Sequence, residues 1–337
     1  MVNSGSSANL LMIAAMFFRK NNPLKRGDEI IVPAVSWSTT YSPLQQYGLH
    51  VKFVDIDKNT LNIDLEKLKS AITDKTKAIL LVNLLGNPND FDKIREIIGT
   101  RNITILEDNC ESMGSSYNDK QTGTFGKMGT YSCFFSHHIS TMEGGLIVTD
   151  NEEFHHILLS LRAHGWTRNL PENNHLCTKM SDLFKEHFRF LIPGYNVRPL
   201  EMSGAIGIEQ LKKLPSMIAK RRENARIFQD NFANDERFII QKEIGKSSWF
   251  GFAMIIKPEA GIERSAIIAK LTEAKIETRP IVTGDMTKCE MLKYFDYELA
   301  GSMENAELID SNGFFVGNHD VDIAKNIALL RNILNVI

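Results

Sequence analysis

The sequence has little cysteine and almost no net charge, and both shortages narrow the possible functions. Its 337 residues include four cysteines, Cys110, Cys133, Cys177 and Cys289, with no C-x-x-C pair among them. This spacing excludes the usual ligand sets of structural zinc and of iron–sulfur clusters, and it predicts a protein of the reducing cytoplasm. The net charge of -2 predicts neither a nucleic-acid surface nor a polybasic membrane patch.

Long apolar runs are also missing. Residues 10–18 are apolar, but no basic segment precedes them and Arg19 and Lys20 follow, which is unlike a signal peptide. No other stretch is long and apolar enough to be predicted as a membrane span. Hydrophobic residues nevertheless make up 43% of the chain, which is enough for a sizeable core in two domains or in one large α/β unit.

Strands and helices alternate along the first half of the chain. We predict strands at residues 29–35, 50–54, 77–85, 103–106 and 146–149, and helices at 91–99 and 152–162. This alternation predicts a mostly parallel sheet covered on both faces. From residue 201 the pattern is helical, and we expect Pro215 to kink or break the helix.

The second half of the chain predicts a smaller α+β unit. Strands are expected at residues 249–256 and 277–282, with a helix at 264–274 between them. We therefore place a domain boundary at Pro215, which divides residues 1–215 from residues 216–337.

The first candidate site is the start of the chain, where Ser4, Gly5 and Ser6 lead directly into an apolar helical pattern. Free backbone N–H groups at a helix N-terminus suit an anion, and a phosphate best of all. The alternative is an ordinary helix cap.

Two predicted strands end in further candidates. Trp37 follows the strand at 29–35 and is either a stacking platform for a flat ring or a core residue. Glu107, Asp108 and Glu111 crowd the end of the strand at 103–106. Asp108 there could hold a cationic ring nitrogen or could cap the following turn.

The third candidate is the pair His137 and His138, in a polar loop followed by Glu143, Gly144 and Gly145. Side chains just beyond strand ends often form the sites of α/β proteins. Adjacent residues on an extended chain point to opposite faces, so one of the two at most should face a ligand. By themselves, two histidines in a loop are more often solvated or packed than catalytic.

Taken together, these residues resemble a known family, the sugar aminotransferases of pyridoxal-phosphate fold type I, also called the DegT/DnrJ/EryC1/StrS family. The resemblance covers essentially the whole chain. It rests on the order of Gly5-Ser6, Trp37, Glu107-Asp108, Ser132, Glu143-Gly144-Gly145, Gly194-Tyr195-Asn196 and Arg279-Pro280. It implies a large domain with a mostly parallel, seven-stranded type of sheet and a smaller C-terminal α+β domain.

One position departs from the aminotransferase pattern. In those enzymes a lysine, five residues after a serine and six before the glutamate of E-G-G, bonds to the cofactor. Here the residue is His137, five after Ser132 and six before Glu143. An imidazole cannot form that bond, but it can carry protons near neutral pH. The swap is similar to that in the dehydratase branch of the family.

The resemblance therefore implies a 3-dehydratase that uses pyridoxal 5′-phosphate and pyridoxamine 5′-phosphate, with L-glutamate as the amino donor. Residues 162–215 are similar to the branch that acts on a nucleotide-linked sugar, GDP-4-keto-6-deoxy-D-mannose, on the way to colitose in O-antigen lipopolysaccharide. Related CDP-sugar enzymes also carry a histidine there, but they add a cysteine cluster that this sequence lacks.

The same resemblance assigns roles to the site residues. His137 would be the catalytic acid–base group, Asp108 would pair with the ring nitrogen and Trp37 would stack on the ring. The phosphate would be held by Gly5, Ser6 and Ser132. Glu111 stands where aminotransferases more often have His or Gln beside the ring hydroxyl, and its role stays open.

Further roles concern the substrate and a second subunit. Asn196 would reach the phosphate of the neighbouring subunit's cofactor, which implies a homodimer with shared active sites. His164, Arg168 and Arg279 are candidates for substrate contact, with a structural role as the alternative for each. His138 is expected to be a bystander.

Two other functions remain open at this stage. An ordinary sugar aminotransferase is the first, and the absent lysine counts against it. The second is an inactive binding protein. Family members carry a further segment ahead of the Gly-Ser loop, so we expect a fragment, a misplaced start or a shortened gene.

Overall fold

The computed structural model describes residues 1–336, and in them the protein forms three sheets, of seven, four and two strands. The strands in chain order are β1 (Glu29–Pro33), β2 (His50–Val54), β3 (Thr76–Val82), β4 (Thr104–Asp108), β5 (Ser116–Tyr117), β6 (Lys120–Gln121), β7 (Met128–Ser132), β8 (Gly145–Val148), β9 (Phe238–Ile240), β10 (Gly251–Ile256), β11 (Thr278–Arg279), β12 (Tyr297–Leu299) and β13 (Gly313–Gly317). The helices are α1 (Gly5–Phe18), α2 (Ser38–Gln46), α3 (Leu65–Ala71), α4 (Phe91–Ile98), α5 (Glu152–Leu161), α6 (Leu183–Glu186), α7 (Glu201–Phe232), α8 (Arg264–Glu273), α9 (Glu304–Asn312) and α10 (Ala324–Leu334).

The larger sheet has seven strands in the order β12-β2-β1-β3-β4-β7-β8. All neighbours are parallel except β7 and β8, which pair antiparallel from Gly129–Val148 to Ser132–Gly145. Every residue of β1 is buried, as expected for a strand with both faces covered. The predicted fold class, a mostly parallel α/β sheet, is confirmed.

Helix α1 is the central helix of this layer. Its residues from Leu11 to Met16 are completely buried, because α1 packs on β7 and is covered by α2 and α5. Ser4 caps the helix by accepting a hydrogen bond from the Ser7 amide at 3.1 Å. Val2 pairs with Gly145 through two backbone hydrogen bonds of 2.8 and 2.9 Å, so the chain enters α1 from beside β8. The N-terminus of α1 therefore opens at the end of the sheet.

The smaller sheet has four strands in the order β11-β13-β10-β9, and the pairs are antiparallel. It shares a second apolar core with α7, α8 and α10, in which the rings of Phe228 and Phe252 stack with centroids 4.3 Å apart. Among residues 1–336, no helix has both the length and the apolarity that a membrane span requires.

Several predicted boundaries need correction. The strand predicted at residues 77–85 ends at Val82, because Leu85 takes a left-handed conformation with φ 51° in a short 3-10 turn. The strand predicted at 277–282 is reduced to β11, since Val282 is also left-handed at φ 52°. Pro215 lies inside α7, so the helix is not broken there. The division into residues 1–215 and 216–337 stays a prediction.

Candidate active site

A cavity of about 640 Å³ opens where the carboxyl ends of the parallel strands meet the smaller sheet. Eight residues to which the sequence assigned a site role line it: Gly5, Ser6, Trp37, Asp108, Glu111, Ser132, His137 and Arg279. They come from α1, the loop after β1, β4 and the turn that follows it, β7 and its loop, and β11. Parallel strands bring their ends to one edge of a sheet, which explains why residues far apart in sequence meet here.

One end of the cavity is formed by the N-terminus of α1. A Cβ atom on Gly5 would lie 2.7 Å from the Ser132 Cβ and 3.1 Å from the Cys110 sulfur, so only glycine fits this close approach. The Ser6 hydroxyl is 3.2 Å from the Thr39 hydroxyl. Free helix amides and three hydroxyl groups, those of Ser6, Thr39 and Ser132, therefore surround a space suited to a phosphate.

Asp108 lies at the end of β4 in a network of hydrogen bonds. Its Oδ2 accepts from the Asn9 amide at 2.7 Å and from the Thr40 hydroxyl at 2.8 Å, and its Oδ1 accepts from the Cys110 amide at 3.0 Å. Asn9 is held in turn by the Thr130 hydroxyl at 2.6 Å. Asp108 thus caps the following turn and also faces the cavity, and its role at a ring nitrogen stays a prediction.

Glu111 faces the same cavity and accepts a hydrogen bond from the Leu85 amide at 3.1 Å. Burial raises the pKa of this carboxyl to about 7, and the charge of Asp108 adds to the increase. Near neutral pH, Glu111 can therefore act either as a hydrogen-bond donor or as an acceptor.

Trp37 lines the cavity and is 57% exposed. It is the residue before α2 and makes no core contact, so the alternative that it belongs to the core is wrong. An exposed indole at a cavity mouth offers a flat surface for a planar ligand.

His137 and His138 point in different directions. His137 lines the cavity and packs against the ring of Phe250, with centroids 5.2 Å apart. Its Nδ1 is enclosed and has no hydrogen-bond partner within residues 1–336. His138 is 4% exposed, and its Nε2 lies 3.2 Å from the Ser248 carbonyl oxygen.

Burial first, and the positive charge of Arg221 second, lower the pKa of His137 to about 4. The same causes hold the pKa of His138 well below its usual value. Both imidazoles are therefore neutral at neutral pH, and His137 is available as a base.

Asn196, His164 and Arg168 lie outside the cavity of their own chain. They form a cluster with Trp166: the His164 ring meets the Trp166 ring at 4.8 Å, and the Arg168 guanidinium lies 5.8 Å from it. Asn196 pairs with Ala163 in an isolated β-bridge and accepts from Arg198 at 3.3 Å.

Sequence reasoning missed several residues of this cavity. Asn9 could have been found, because it follows Gly5 by one helical turn and so shares its face of α1. Thr40 and Phe250 had no comparable signal, since each reaches the site through contacts with elements distant in sequence.

Comparison with known proteins agrees with this geometry. A sequence model of the DegT/DnrJ/EryC1/StrS aminotransferase family matches residues 1–320. The chain belongs to this family. The resemblance that the sequence suggested is therefore confirmed.

Within the DegT/DnrJ/EryC1/StrS family, the chain is 66% identical to GDP-4-keto-6-deoxy-D-mannose 3-dehydratase of Yersinia pseudotuberculosis, over 99% of this chain and 86% of that relative. It is 63% identical to E. coli GDP-4-keto-6-deoxy-D-mannose-3-dehydratase solved with bound hydrated PLP, with a TM-score of 0.97 over 99% of this chain and 86% of that one. A structure of GDP-4-keto-6-deoxymannose-3-dehydratase with a trapped PLP-glutamate geminal diamine has a TM-score of 0.98 at 63% identity, over 99% of this chain and 87% of that one.

Proposed function

We propose that the protein is a 3-dehydratase that removes the C3 hydroxyl of GDP-4-keto-6-deoxy-D-mannose, with pyridoxamine phosphate as its cofactor and L-glutamate as the amino donor. The observation that carries this proposal is the set of residue types that line the cavity. Among residues 1–336 no lysine lines the cavity, and His137 stands where the aminotransferases have one. The names of the similar proteins support the same substrate and the same donor.

The residues present fit a pyridoxal or pyridoxamine phosphate group. Gly5, Ser6 and Ser132 would hold its phosphate at the α1 N-terminus, and the Asp108 carboxylate would hold its ring nitrogen. Trp37 would cover one ring face, and we assign Glu111 to the ring hydroxyl. When bound, the group supplies an amine that combines with the 4-keto carbon of the sugar and a ring that accepts an electron pair.

The chain's own contribution to the chemistry is centred on His137. Its pKa of about 4 keeps the imidazole neutral at pH 7, so that it would take up the proton that leaves the cofactor's C4′ carbon. The enclosed Nδ1 leaves Nε2 as the nitrogen that exchanges this proton. The same Nε2 then delivers its proton to the C3 oxygen of the sugar, which leaves as water. No lysine is present to recapture the cofactor, so hydrolysis releases ammonia together with a 4-keto-3,6-dideoxy sugar nucleotide. Proton transfer of this kind contributes about 10²- to 10⁴-fold in rate.

Asp108 and its partners orient this chemistry. An ionised carboxylate beside the ring nitrogen keeps that nitrogen protonated, and Asn9 and Thr40 fix the carboxylate by two hydrogen bonds. A second link runs from the loop after β11, where the Thr283 hydroxyl donates to the Ser36 carbonyl oxygen at 2.6 Å, and the Ser36 hydroxyl lies 2.8 Å from the Thr40 hydroxyl. These contacts join the loop after β11 to the loop after β1 and to α2, which form parts of the cavity wall.

We also propose a homodimer in which each subunit completes the other's site. The cluster around Trp166 carries polar groups that lie outside the cofactor cavity of their own chain, and Leu183, Phe184 and Phe188 in the same segment are strongly exposed. Such apolar exposure is typical of an interface. Asn196, His164 and Arg168 would then reach the partner's cofactor and substrate.

Mixed dimers test the shared site. His137→Gln and Asn196→Ala subunits are each expected to be inactive as homodimers. Co-expressed, they form mixed dimers with one site that carries both changes and one that carries neither, so about a quarter of wild-type activity should return. No recovery would show that each site lies within one subunit.

Absorbance spectroscopy tests the cofactor half of the proposal. Purified protein mixed with pyridoxal phosphate should show the band of the bound aldehyde, and adding L-glutamate should convert it to the band of the amine. His137→Gln should retain the cofactor but convert it at least about 10²-fold more slowly, whereas His138→Gln should convert at a rate closer to wild type. Unchanged bands in the wild type would reject the proposal.

A further inference from the structure

Arg221 is a buried cation that the chemistry above does not use. It lies on α7 and is only 4% exposed. Its Nη1 donates to the Asn318 carbonyl oxygen at 2.7 Å and to the Phe250 carbonyl oxygen at 3.3 Å, while its Nε is enclosed without a partner. Within residues 1–336 no carboxylate lies within ion-pair distance of it. Buried charges are normally paired, so this arrangement calls for an explanation.

The guanidinium occupies the space behind the catalytic imidazole. Arg221, His137 and His138 line a second cavity of about 390 Å³, which meets the cofactor cavity at Ser136, His137, Phe250, Arg279 and Phe315. His137 therefore stands between the two cavities, with the space for the cofactor on one side and Arg221 on the other.

Arg221 is held rigidly in this place. Asn318 accepts from its guanidinium and also donates to the Arg221 carbonyl oxygen at 3.0 Å. The Phe250 carbonyl accepts a second bond, and the ring of the same Phe250 packs on both His137 and His138 at 5.2 and 5.6 Å. One residue thus connects the position of the cation to the orientation of the base.

Resting on the function proposed above, we propose that Arg221 is a positioning residue for His137: its buried positive charge disfavours a second positive charge on the imidazole, so that a proton taken up by His137 is readily passed on to the C3 oxygen. The guanidinium itself remains charged at neutral pH, although burial lowers its pKa to about 10. The low pKa of His137 has burial as its first cause and Arg221 as its second.

The other charges around His137 do not cancel the effect of the Arg221 charge on its imidazole. The titratable and charged groups that face the two cavities are Asp108, Cys110, Glu111, His138, Glu143, Arg279, Glu277, His319 and Asp320. Glu277 is paired with Arg279 at 2.8 Å. Asp320 lies 3.0 Å from the His319 ring, and its charge partly offsets that of Arg221 without forming an ion pair with it. Asp108 is committed to Asn9 and Thr40. The unpaired guanidinium is the cation that remains.

Histidine titration tests the proposal without requiring turnover. In cofactor-free protein labelled at the histidine rings, the NMR signal of His137, assigned from its loss in His137→Gln, should titrate well below the usual 6.5. Removing the cation in Arg221→Gln should raise that pKa by about one unit, the size expected for a unit charge nearby at an intermediate dielectric constant. Arg221→Lys keeps the charge and should restore most of the shift.

The pH profile separates this role from a structural one. In Arg221→Gln the apparent pKa of the acid limb, in the pH profile of the rate of glutamate conversion, should rise by the same amount, and the rate at pH 7.5 should fall little. A merely structural defect would lower the rate at every pH.

An unchanged His137 titration in Arg221→Gln would overturn the proposal, as would a normal pKa in Arg221→Lys. If Arg221→Gln does not fold, Arg221→Met removes the same charge and replaces it in the titration, and a wild-type His137 pKa at or above 6.5 would contradict the proposal in either case. A wild type that lacks dehydratase activity but shows these shifts would reject the proposed function alone.

Discussion

Asp108 offers the sharpest contrast between a residue that serves the cofactor and a neighbour that serves the fold. Asp108 and Glu107 are adjacent on β4, so they point to opposite sides of the sheet. Asp108 faces the cavity, whereas the Glu107 carboxylate accepts the backbone amides of Gly123, Phe125 and Gly126 at 2.6 to 2.7 Å. Asp108→Asn and Glu107→Gln are therefore matched changes of a buried carboxylate to an amide.

Both variants should lose stability by a similar amount. In Asp108→Asn the new NH2 group must face either the Cys110 amide or the donors Asn9 and Thr40, and in Glu107→Gln it must face at least one of three amides. A buried donor left without an acceptor costs about 1–3 kcal/mol, so each variant should unfold more easily by about that amount.

Cofactor affinity should separate the two variants. A charge-assisted hydrogen bond contributes about 1.5–3 kcal/mol, so losing the one to the ring nitrogen should raise the Kd for pyridoxamine phosphate about 10- to 100-fold in Asp108→Asn. Glu107→Gln has no such contact, and its Kd should stay within about threefold of the wild type.

Two measurements are required on each variant. Thermal unfolding without cofactor gives the stability loss, and quenching of tryptophan fluorescence by the cofactor gives the Kd. Equal Kd values for Asp108→Asn and the wild type would refute the assignment of this carboxylate to the ring nitrogen. A large Kd increase in Glu107→Gln would show that the loss of stability, and not the missing contact, weakens binding.

Three further changes follow from the geometry of the cavity. Gly5→Ala should weaken cofactor binding by about tenfold or more in the same quenching assay, because the new Cβ would lie 2.7 Å from the Ser132 Cβ, whereas Gly204→Ala in α7, with open space around it, should not. Trp37→Leu should also weaken binding, by about 1 kcal/mol, yet leave the melting temperature nearly unchanged because the side chain is 57% exposed. Burial raises the folded-state pKa of Glu111 from the usual 4.5 to about 7. The folded protein therefore keeps this proton to a higher pH than the unfolded chain does. As the pH rises between these two values, the carboxyl increasingly destabilises the fold. Glu111→Gln should therefore gain stability over the wild type at pH 8 but not at pH 4.5 in cofactor-free protein, and an equal effect at both values would contradict the shift.

Local patterns predicted most of the larger sheet. The strand at His50–Val54 has the predicted bounds, and α4 and α5 end one residue earlier than predicted. Apolar runs bounded by turn residues carry this information within a few positions of the chain. The strand pairing that they imply follows from short connections between neighbours.

Features that depend on distant partners were not predictable in this way. Strand β12 joins the edge of the larger sheet beside β2, where Lys52 pairs with Glu298 at 2.6 Å and with Glu29 at 2.9 Å. A strand of only three residues is too short to show an alternating pattern in the sequence. Pro215 was expected to kink or break its helix, but α7 continues past it.

The residues of the candidate site also fall into two groups, those that local sequence patterns mark and those that only the fold brings to the site. Gly5, Asp108 and His137 stand at strand or helix ends that the sequence marks, and the spacing from Ser132 to His137 to Glu143 carried the family resemblance. Arg221 gave no signal, because an arginine in a charged helical stretch looks solvent-exposed until the fold encloses it. The same holds for Phe250, whose ring packs on His137 from the segment just before β10.

The balance of products tests the central claim most directly. GDP-4-keto-6-deoxy-D-mannose would be incubated with the protein, its cofactor and L-glutamate, and ammonia, 2-oxoglutarate and the sugar nucleotides would be quantified together. A dehydratase with His137 in place of lysine predicts one ammonia and one 2-oxoglutarate for each sugar that has lost its C3 oxygen. A product that keeps this oxygen and carries the amino group at C4, with no ammonia released, would contradict the proposal and identify an aminotransferase.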